Sequence, residues 1–442
     1  MEVNVRIART RTFDVVVCGG GVAGFCAAVA AARTGANTAL IESFGMLGGT
    51  MTVGGISAPA LFHAHGRQII SGIVWELMTA LAEEGFADLP KPPFDAPHPL
   101  LAVELNPFQA AVKMDEMAIQ AGVTLCFRQT VAAVQAENGI VNAVLITSPE
   151  GLERIVGRVF IDCTGDADVC AMAGAAFEIG QTLQPATLNF RIQGNRLGSA
   201  KIQGLYEQAL KDGKITEKEI WGGGIGPFMY GRGRGVEECW AQSIGSNVNH
   251  VFPFNGASAQ SRTEGEIAGR KSIDRLMRWM RAEAPGYENA FVSSCSPFVT
   301  ARESRRVLGM DYITGDDYIR GYCPANSVCY SFYPIDVHRA DTASALDNEF
   351  HAFGRVPGIP YGALVARDFQ NLMMAGRNAS GDRRAQSAFR VQASCMAMGE
   401  AAGTAAALAV RQNVSVRNLN TEVLKNTLSQ NGATVPEPSD HA

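Results

Sequence analysis

The chain is poor in lysine: only 8 of its 38 basic residues are lysine, and no lysine-rich run occurs along its 442 residues. With a net charge of −5 as well, it lacks the clustered cations that track a phosphate backbone, which excludes a nucleic-acid surface. Long apolar runs are also missing. Gly, Thr, Arg or Glu breaks every candidate before the roughly 18–20 residues that a bilayer crossing needs, so no membrane span is expected. Ahead of Phe13, "MEVNVRIARTRT" has basic residues but no apolar segment and no small-residue cleavage site, and the expected location is the cytoplasm. None of the 10 cysteines stands in a C-x-x-C pair, which disfavours zinc, iron–sulfur and dithiol chemistry; Cys18 and Cys26 are too far apart for a redox dithiol. Most are expected as small core residues.

What is present is an ordinary globular balance, 47% hydrophobic and 18% charged, long enough for a large core and two domains. The expected partner is a small molecule, and self-association is left open.

The informative stretch is "DVVVCGGGVAGFCAAVAAARTGANTALIE", Asp14 to Glu42. Phe13 to Val17 reads as a strand buried on both faces of a parallel sheet. Gly19, Gly21 and Gly24 then satisfy G-x-G-x-x-G. The first allows a tight turn, the second lets backbone approach a pyrophosphate, and the third lets the helix pack on the strand. Val22 and Ala23 open a helix whose N-terminus offers the positive end of its dipole, and Gly35 ends it. Glu42 closes the next strand, where a carboxylate accepts from ribose hydroxyls and repels a 2′-phosphate. NADP is disfavoured; NAD and FAD remain alternatives at this point.

Three further stretches narrow the choice: "SFGMLGGTMTVGGI" after Glu42, "FIDCTGDADVCAMAG" from Phe160, and "GIPYGALVARDFQNLMMAGRNASGDRRAQSAFRVQASCMAMGEAAGTAAALAV" from Gly358. With the glycine cluster they resemble the FAD-dependent oxidoreductase family of the glutathione-reductase-type flavoprotein superfamily, which includes the fumarate reductase and succinate dehydrogenase flavoproteins. The resemblance runs from about Phe13 to Val410. It implies an α/β fold: a Rossmann-type FAD-binding domain, with a parallel sheet and βαβ units, interrupted by an α+β substrate-binding cap. The expected division is 1–186 and 334–425 for the FAD domain, 187–333 for the cap, and 426–442 as a flexible tail.

For the cofactor, the resemblance implies pyrophosphate at Gly19, Gly21 and Gly24 and the adenosine ribose at Glu42, with Ser43 next to it as a further cofactor-binding residue. Gly48, Gly49 and Thr50 then follow FAD towards its ring. Gly165 and Asp166 come from "CTGDAD", and Gly376 and Arg377 from the later strand. Gly399 and Ala401 belong to a last helix opening at Met398, whose N-terminus is expected beneath the flavin. There it would stabilise negative charge on the reduced N1–C2 carbonyl edge. Gly399 and Gly403, on one face, equally suit a packing helix. No second strand–glycine–helix unit follows, since "WGGGIGPFMYGRGRG" has no preceding strand and the wrong spacing. FAD is the expected cofactor, without a dedicated NAD(P)H domain, and electrons pass to or from a substrate and a separate donor or acceptor that the sequence does not name.

Candidate catalytic residues lie around the expected cap junction. Thr187 to Ile192 alternates as a half-buried strand, and Thr263 to Arg281 reads as an amphipathic helix. In "TARESRRV", Arg302 and Arg305 share a face if helical and can clamp a substrate carboxylate; the alternative is an ion pair with Glu303 or Asp311. In "YPIDVH", His338 suits a base that takes a proton as hydride leaves for flavin N5, oriented by Asp336; the alternative is a junction hydrogen bond. Arg390 is expected to hold a carboxylate or tune the flavin. His63 and His65, at strand spacing in "FHAHGRQ", suit an active-site wall better than a metal site, because further ligands are missing.

The expected activity is an FAD-dependent dehydrogenase or oxidase taking hydride from a small polar substrate. Alternatives are reduction of an activated C=C bond with an arginine as proton donor, and a non-catalytic flavin-stabilised binding protein; flavin monooxygenation is disfavoured because NAD(P)H-linked motifs are missing.

Overall fold

Val15, Val16, Val17 and Cys18 are all fully buried, and a strand with no polar alternation must be covered on both faces. In the computed structural model this strand is the middle of the main sheet. The structure describes residues 6–94, 101–195, 202–214, 225–227, 244–246, 249–339, 346–351 and 354–438.

The elements that position the site are β1 (Ile7–Cys18), α1 (Val22–Arg33), β2 (Thr38–Glu42), α2 (Ile73–Glu83), α3 (Pro107–Gln120) and β3 (Thr124–Phe127). Next come β4 (Thr130–Glu137), β5 (Ile140–Ser148), β6 (Gly151–Asp162) and α4 (Asp168–Ala173). β1 pairs in parallel with β2, Cys18 opposite Ile41, and with β6, Cys18 opposite Asp162. β3 extends the sheet in parallel beyond β2. The first half of β6 pairs antiparallel with β5, and β5 with β4, so a meander is joined to the parallel sheet.

A second hydrophobic core gathers residues from Ala186 to Val299. It takes in β7 (Phe190–Gln193) and α5 (Ala259–Glu283), and the exposed β8 (Phe291–Cys295) pairs antiparallel with β7. α5 buries Ile273, Leu276, Met277 and Met280, and Ser258 caps its start by accepting from the Ser261 N–H. The strand expected over Thr187 to Ile192 is broken at Leu188–Asn189, with only Phe190 onward in β7. Apart from 225–227, "WGGGIGPFMYGRGRG" lies outside the described residues.

Ile313, Tyr318, Val328 and Tyr330 pack into the first core, so the chain rejoins it ahead of residue 334. The remaining elements are β9 (Ile335–His338), β10 (Leu372–Met374), α6 (Arg383–Phe389), α7 (Gln392–Gln412) and α8 (Thr421–Gln430). β10 pairs in parallel with the end of β6. The C-terminal ends of β1, β2, β6 and β10 therefore share one edge, where open α/β sheets bind ligands. Each of the four ends is followed by one of the glycine-bearing sequence motifs.

Two expectations change here. α7 begins at Gln392, six residues before Met398, and although long and apolar enough by composition to cross a bilayer it is buried inside the protein. The segment from 426, expected as a flexible tail, is held to the rest of the chain as far as Glu437. Leu428 of α8 is buried, Ala433 and Val435 lie on the first core, Ser71 Oγ donates to the Gly432 carbonyl, and the Glu437 N–H donates to Tyr330 Oη.

Candidate active site and cofactor cleft

The glycine turn is built from close approaches. Gly19 has φ +100°, and a Cβ there would meet the Cys163 carbonyl oxygen at 2.5 Å. A Cβ at Gly24 would sit 1.7 Å from the Gly19 carbonyl oxygen, so the third glycine lets α1 pack on the turn. Gly21 differs: it is the α1 N-cap, and an added Cβ would meet nothing within 4 Å. Gly48, at φ +99°, pairs with the turn through a Gly21–Gly48 bridge and donates to the Gly20 carbonyl. A Cβ at Gly48 would strike Thr52 at 2.6 Å, and Gly48 does not line the cleft. Its role is to bring Gly49 and Thr50, which do line it, beside Gly21.

This edge opens into a cleft of about 820 Å³, at the upper end of ordinary ligand sites. Gly19, Gly21, Val22, Ala23, Glu42, Ser43, Gly165, Asp166, Gly376 and Arg377 all line it. The Glu42 carboxylate accepts from the Gly20 N–H at 2.5 Å, the Phe44 N–H at 2.7 Å and Ser43 Oγ at 3.1 Å. Burial raises its pKa, and those donors work in the opposite direction.

The cleft passes from the turn to "CTGDAD". Asp166 accepts from Arg377 Nη1 at 2.7 Å, Ser304 Oγ at 2.6 Å and Arg262 Nη2 at 3.1 Å. Burial alone would raise the Asp166 pKa, but Arg377, Ser304 and Arg262 together hold it below the usual carboxylate value. Arg262 stands in the first turn of α5, so Asp166 joins the two cores.

The N-terminus of α7 also faces the cleft, through Val391, Gln392 and Cys395. Gln392 Nε2 donates to the Ile56 carbonyl, while its Oε1, and Nε of Arg390, are buried with no partner among the described residues. Burial without a hydrogen bond costs about 1–3 kcal/mol, so these atoms suit a polar ligand. A glycine cradle, an acid at the end of β2, a helix N-terminus and orphaned polar atoms along one cleft fit an extended dinucleotide such as FAD.

Beside them a polar cluster assembles from distant segments. On β9, His338 Nε2 lies 3.3 Å from Asp336 Oδ2. Arg390 Nη2 approaches the same carboxylate at 3.4 Å. Arg302 Nη1 donates to the Pro185 carbonyl at 2.5 Å, and its Nη2 lies 3.4 Å from His250 Nε2. The His250 ring meets the His338 ring edge-on at 5.2 Å. The Ser387 hydroxyl receives the Asp336 N–H, and Gln184 Oε1 receives the His338 N–H, which fixes β9.

Burial first, then the nearby Arg302 charge, brings His338 down to about 4, so its imidazole is neutral at neutral pH. Burial would raise Asp336, but the hydrogen bond from His338 and the charge of Arg390 bring it to about 2. The contact is thus a hydrogen bond from neutral Nε2–H to a carboxylate, and it leaves Nδ1 as the basic nitrogen. Burial, with Arg390 as a neighbouring cation, lowers Arg302 to about 9.

Other expected site residues stand elsewhere. The backbone from Ala301 to Arg305 is not helical, so Arg302 and Arg305 do not share a face. Arg305 instead pairs with Asp168 at 2.9 Å and with the Asp166 carbonyl, off the cleft, while Glu303 binds Arg383. His63 is buried between the rings of Phe94, stacked at 4.0 Å, and Trp75, and does not line the cleft. The short strand ends at Ala64, and His65, at φ +51°, turns towards Phe332 and the Arg355 carbonyl. Gly399 and Gly403 face α1: added Cβ atoms would lie 2.1 Å from the Ala23 carbonyl oxygen and 2.0 Å from that of Ala27. Gly399 is therefore inside the helix–helix seam, Ala401 is buried in the first core, and neither lines the cleft, because α7 starts earlier than expected and only its first turn reaches it.

Sequence reasoning missed His250, Tyr333, Thr187 and Thr300. Tyr333, Thr187 and Thr300 line the cleft. His250 lies 52 residues from Arg302 in a segment without any local motif, so nothing in the sequence pointed to it.

The sequence match follows the geometry. Residues 14–428 match the family model described as FAD dependent oxidoreductase, so the chain belongs to that family: it is an FAD-dependent oxidoreductase, and FAD is its cofactor. A stretch of 53 residues is 53% identical to dihydrolipoyl dehydrogenase of Trypanosoma brucei brucei, and the match spans only 12% of this chain and 11% of that protein's length. Among solved structures, a geranylgeranyl bacteriochlorophyll reductase-like protein of Thermoplasma acidophilum superimposes with TM-score 0.46 at 12% identity, covering 95% of this chain and 91% of that one. The p-nitrophenol 4-monooxygenase PnpA of Pseudomonas putida DLL-E4 gives 0.45 at 11% identity, covering 97% and 91%.

Proposed function

We propose that the protein is a dehydrogenase or oxidase that removes hydride from a small polar substrate, with His338 as the base. The observation carrying this reading is the hydrogen bond between His338 and Asp336 inside the cleft, beside Arg302 and Arg390. FAD, when bound, supplies a two-electron acceptor at N5. The protein's part is to hold and deprotonate. Asp336 fixes the tautomer, so His338 Nδ1 takes the substrate's O–H or N–H proton, and Asp336 stabilises the imidazolium that forms. Arg390 in turn holds Asp336 ionised. Arg302 supplies positive charge for an anionic group of the substrate. The second core forms the lid over this chemistry and closes on Asp166 through Arg262.

This places the chain, as a proposal, in the glutathione-reductase/fumarate-reductase-type superfamily, with the second core as the substrate cap and a separate electron acceptor. Anaerobic mixing of the purified holoenzyme with hydroxy acids, sugars and amines is the test. Bleaching of the flavin band by such a substrate supports the reading, and bleaching by NAD(P)H alone overturns it.

A second reading has one observation behind it. The lowered pKa of Arg302 suits an arginine that donates a proton during reduction of an activated C=C bond. Chemically reduced enzyme would then be reoxidised anaerobically by an unsaturated acid.

A further inference from the structure

Thr187 and Thr300 form an isolated antiparallel bridge, each N–H donating to the other's carbonyl, at 3.0 and 2.7 Å. Directly opposed residues of such a pair put their side chains on the same face. Both line the cleft, both are more than nine-tenths buried, and neither hydroxyl has a hydrogen-bond partner among the described residues. Two buried orphan hydroxyls side by side are costly unless a ligand completes them. Arg302 lies two residues after Thr300 and reaches the carbonyl of Pro185, two residues before Thr187, so the same pairing carries a guanidinium alongside. Paired O–H donors next to a fixed positive charge match the two oxygens of a carboxylate.

We propose that Thr187 and Thr300 bind the carboxylate of a 2-hydroxy acid, which is the substrate class of this enzyme. The proposal rests on the hydride-removal reading above, because it needs His338 as base within the same cleft. With the carboxylate on the threonines and Arg302, the hydroxyl of the adjacent carbon is presented to His338. With FAD bound, the O–H bond would break with its proton passing to Nδ1, the C2–H bond would break with its electron pair leaving as hydride to the oxidised flavin, and C2=O would form. The substrate loses two electrons, FAD gains them, and the product is a 2-oxo acid.

The test uses holoenzyme with Thr187→Val, Thr300→Val and the matching serine variants. Binding is read from perturbation of the flavin spectrum by pyruvate, a non-reacting carboxylate. Reduction is read anaerobically with glycolate, lactate, malate and tartrate against the neutral lactamide and 1,2-propanediol. Each valine variant is expected to weaken pyruvate about 10-fold, as loss of a hydrogen bond to a charged group implies, with serine restoring it and FAD content unchanged. Hydroxy acids are expected to bleach the flavin and the neutral analogues are not. The subsite is overturned, with hydride removal intact, if neutral analogues bleach equally well or if pyruvate binding ignores both threonines. It is also overturned if the valine variants lose FAD in place of pyruvate affinity. If pyruvate binding depends on the threonines but no donor bleaches the flavin, the hydride-removal reading fails and the 2-hydroxy acid assignment fails with it.

Discussion

Asp166 and Arg377, 211 residues apart in sequence, meet at 2.7 Å between Oδ1 and Nη1. The contact ties the loop after β6 to the loop after β10 at the floor of the cleft. Both side chains are largely buried, so Arg377→Met takes the nearest cation away from a buried carboxylate. The expected loss is about 3 kcal/mol, the low end for a broken buried pair, because Arg262 and Ser304 still reach Asp166. Chemical denaturation of the apoprotein measures it.

Gly403 is the cleanest position at which to test the α1–α7 seam, since it stands away from the cleft. A Cβ there would lie 2.0 Å from the Ala27 carbonyl oxygen, and backbone cannot yield as a flexible side chain does. Gly403→Ala is expected to cost about 2–3 kcal/mol in a thermal or urea melt. The flavin spectrum of the surviving holoenzyme should stay that of the parent.

Glu400 carries a pH dependence. Its Oε2 accepts the Ile73 N–H at 3.0 Å at the start of α2, its Oε1 has no partner among the described residues, and burial pushes the carboxyl up to about 8 from 4.5. The folded state holds the proton more tightly than the unfolded one. Its stabilising effect is therefore complete below pH 4.5 and fades as pH rises through about 8. Glu400→Gln should flatten that part of the stability–pH curve.

Proton abstraction by His338 sets another profile. With a pKa of about 4 the base is ready at neutral pH, so anaerobic flavin reduction should be flat from about pH 6 to 8 and fall only towards pH 4. His338→Asn should slow that step by about 10²–10⁴-fold. Asp336→Asn removes an interaction that raises the His338 pKa, so the acid limb should move to lower pH.

How much of this was legible in the sequence follows from the range of each interaction. The β1–turn–α1–β2 unit was readable because its contacts lie within 30 residues, and Glu42 closes β2 where expected. Asp336 and His338 were readable as a pair because a strand puts i and i+2 on one face. Gly399 and Gly403 announced a close approach without saying to what; the neighbour is the α1 backbone. The start of α7 was missed because Val391 caps it without a side-chain hydrogen bond, leaving no capping signal. Arg305 and His63 were misplaced because their partners, Asp168 and the Phe94–Trp75 pair, come from loops and helices that no local pattern connects. Thr187 opens the expected strand and Thr300 opens "TARESRRV", yet neither pattern singles out the threonine side chain; what marks each in the folded chain is a hydroxyl without a partner among the described residues.

We expect FAD to lie across the glycine turn with Gly21, which lines the cleft, against it. Gly21 has ordinary backbone angles, φ −63° and ψ −177°, and an added Cβ would meet no neighbouring segment among the described residues within 4 Å, so the fold tolerates alanine. FAD content of purified Gly21→Ala, read from the visible spectrum and from flavin released on acid precipitation, is therefore the most direct test. The expected variant melts like the parent apoprotein but carries far less than stoichiometric FAD; stoichiometric, tightly held FAD in Gly21→Ala would rule out a cofactor seated against Gly21.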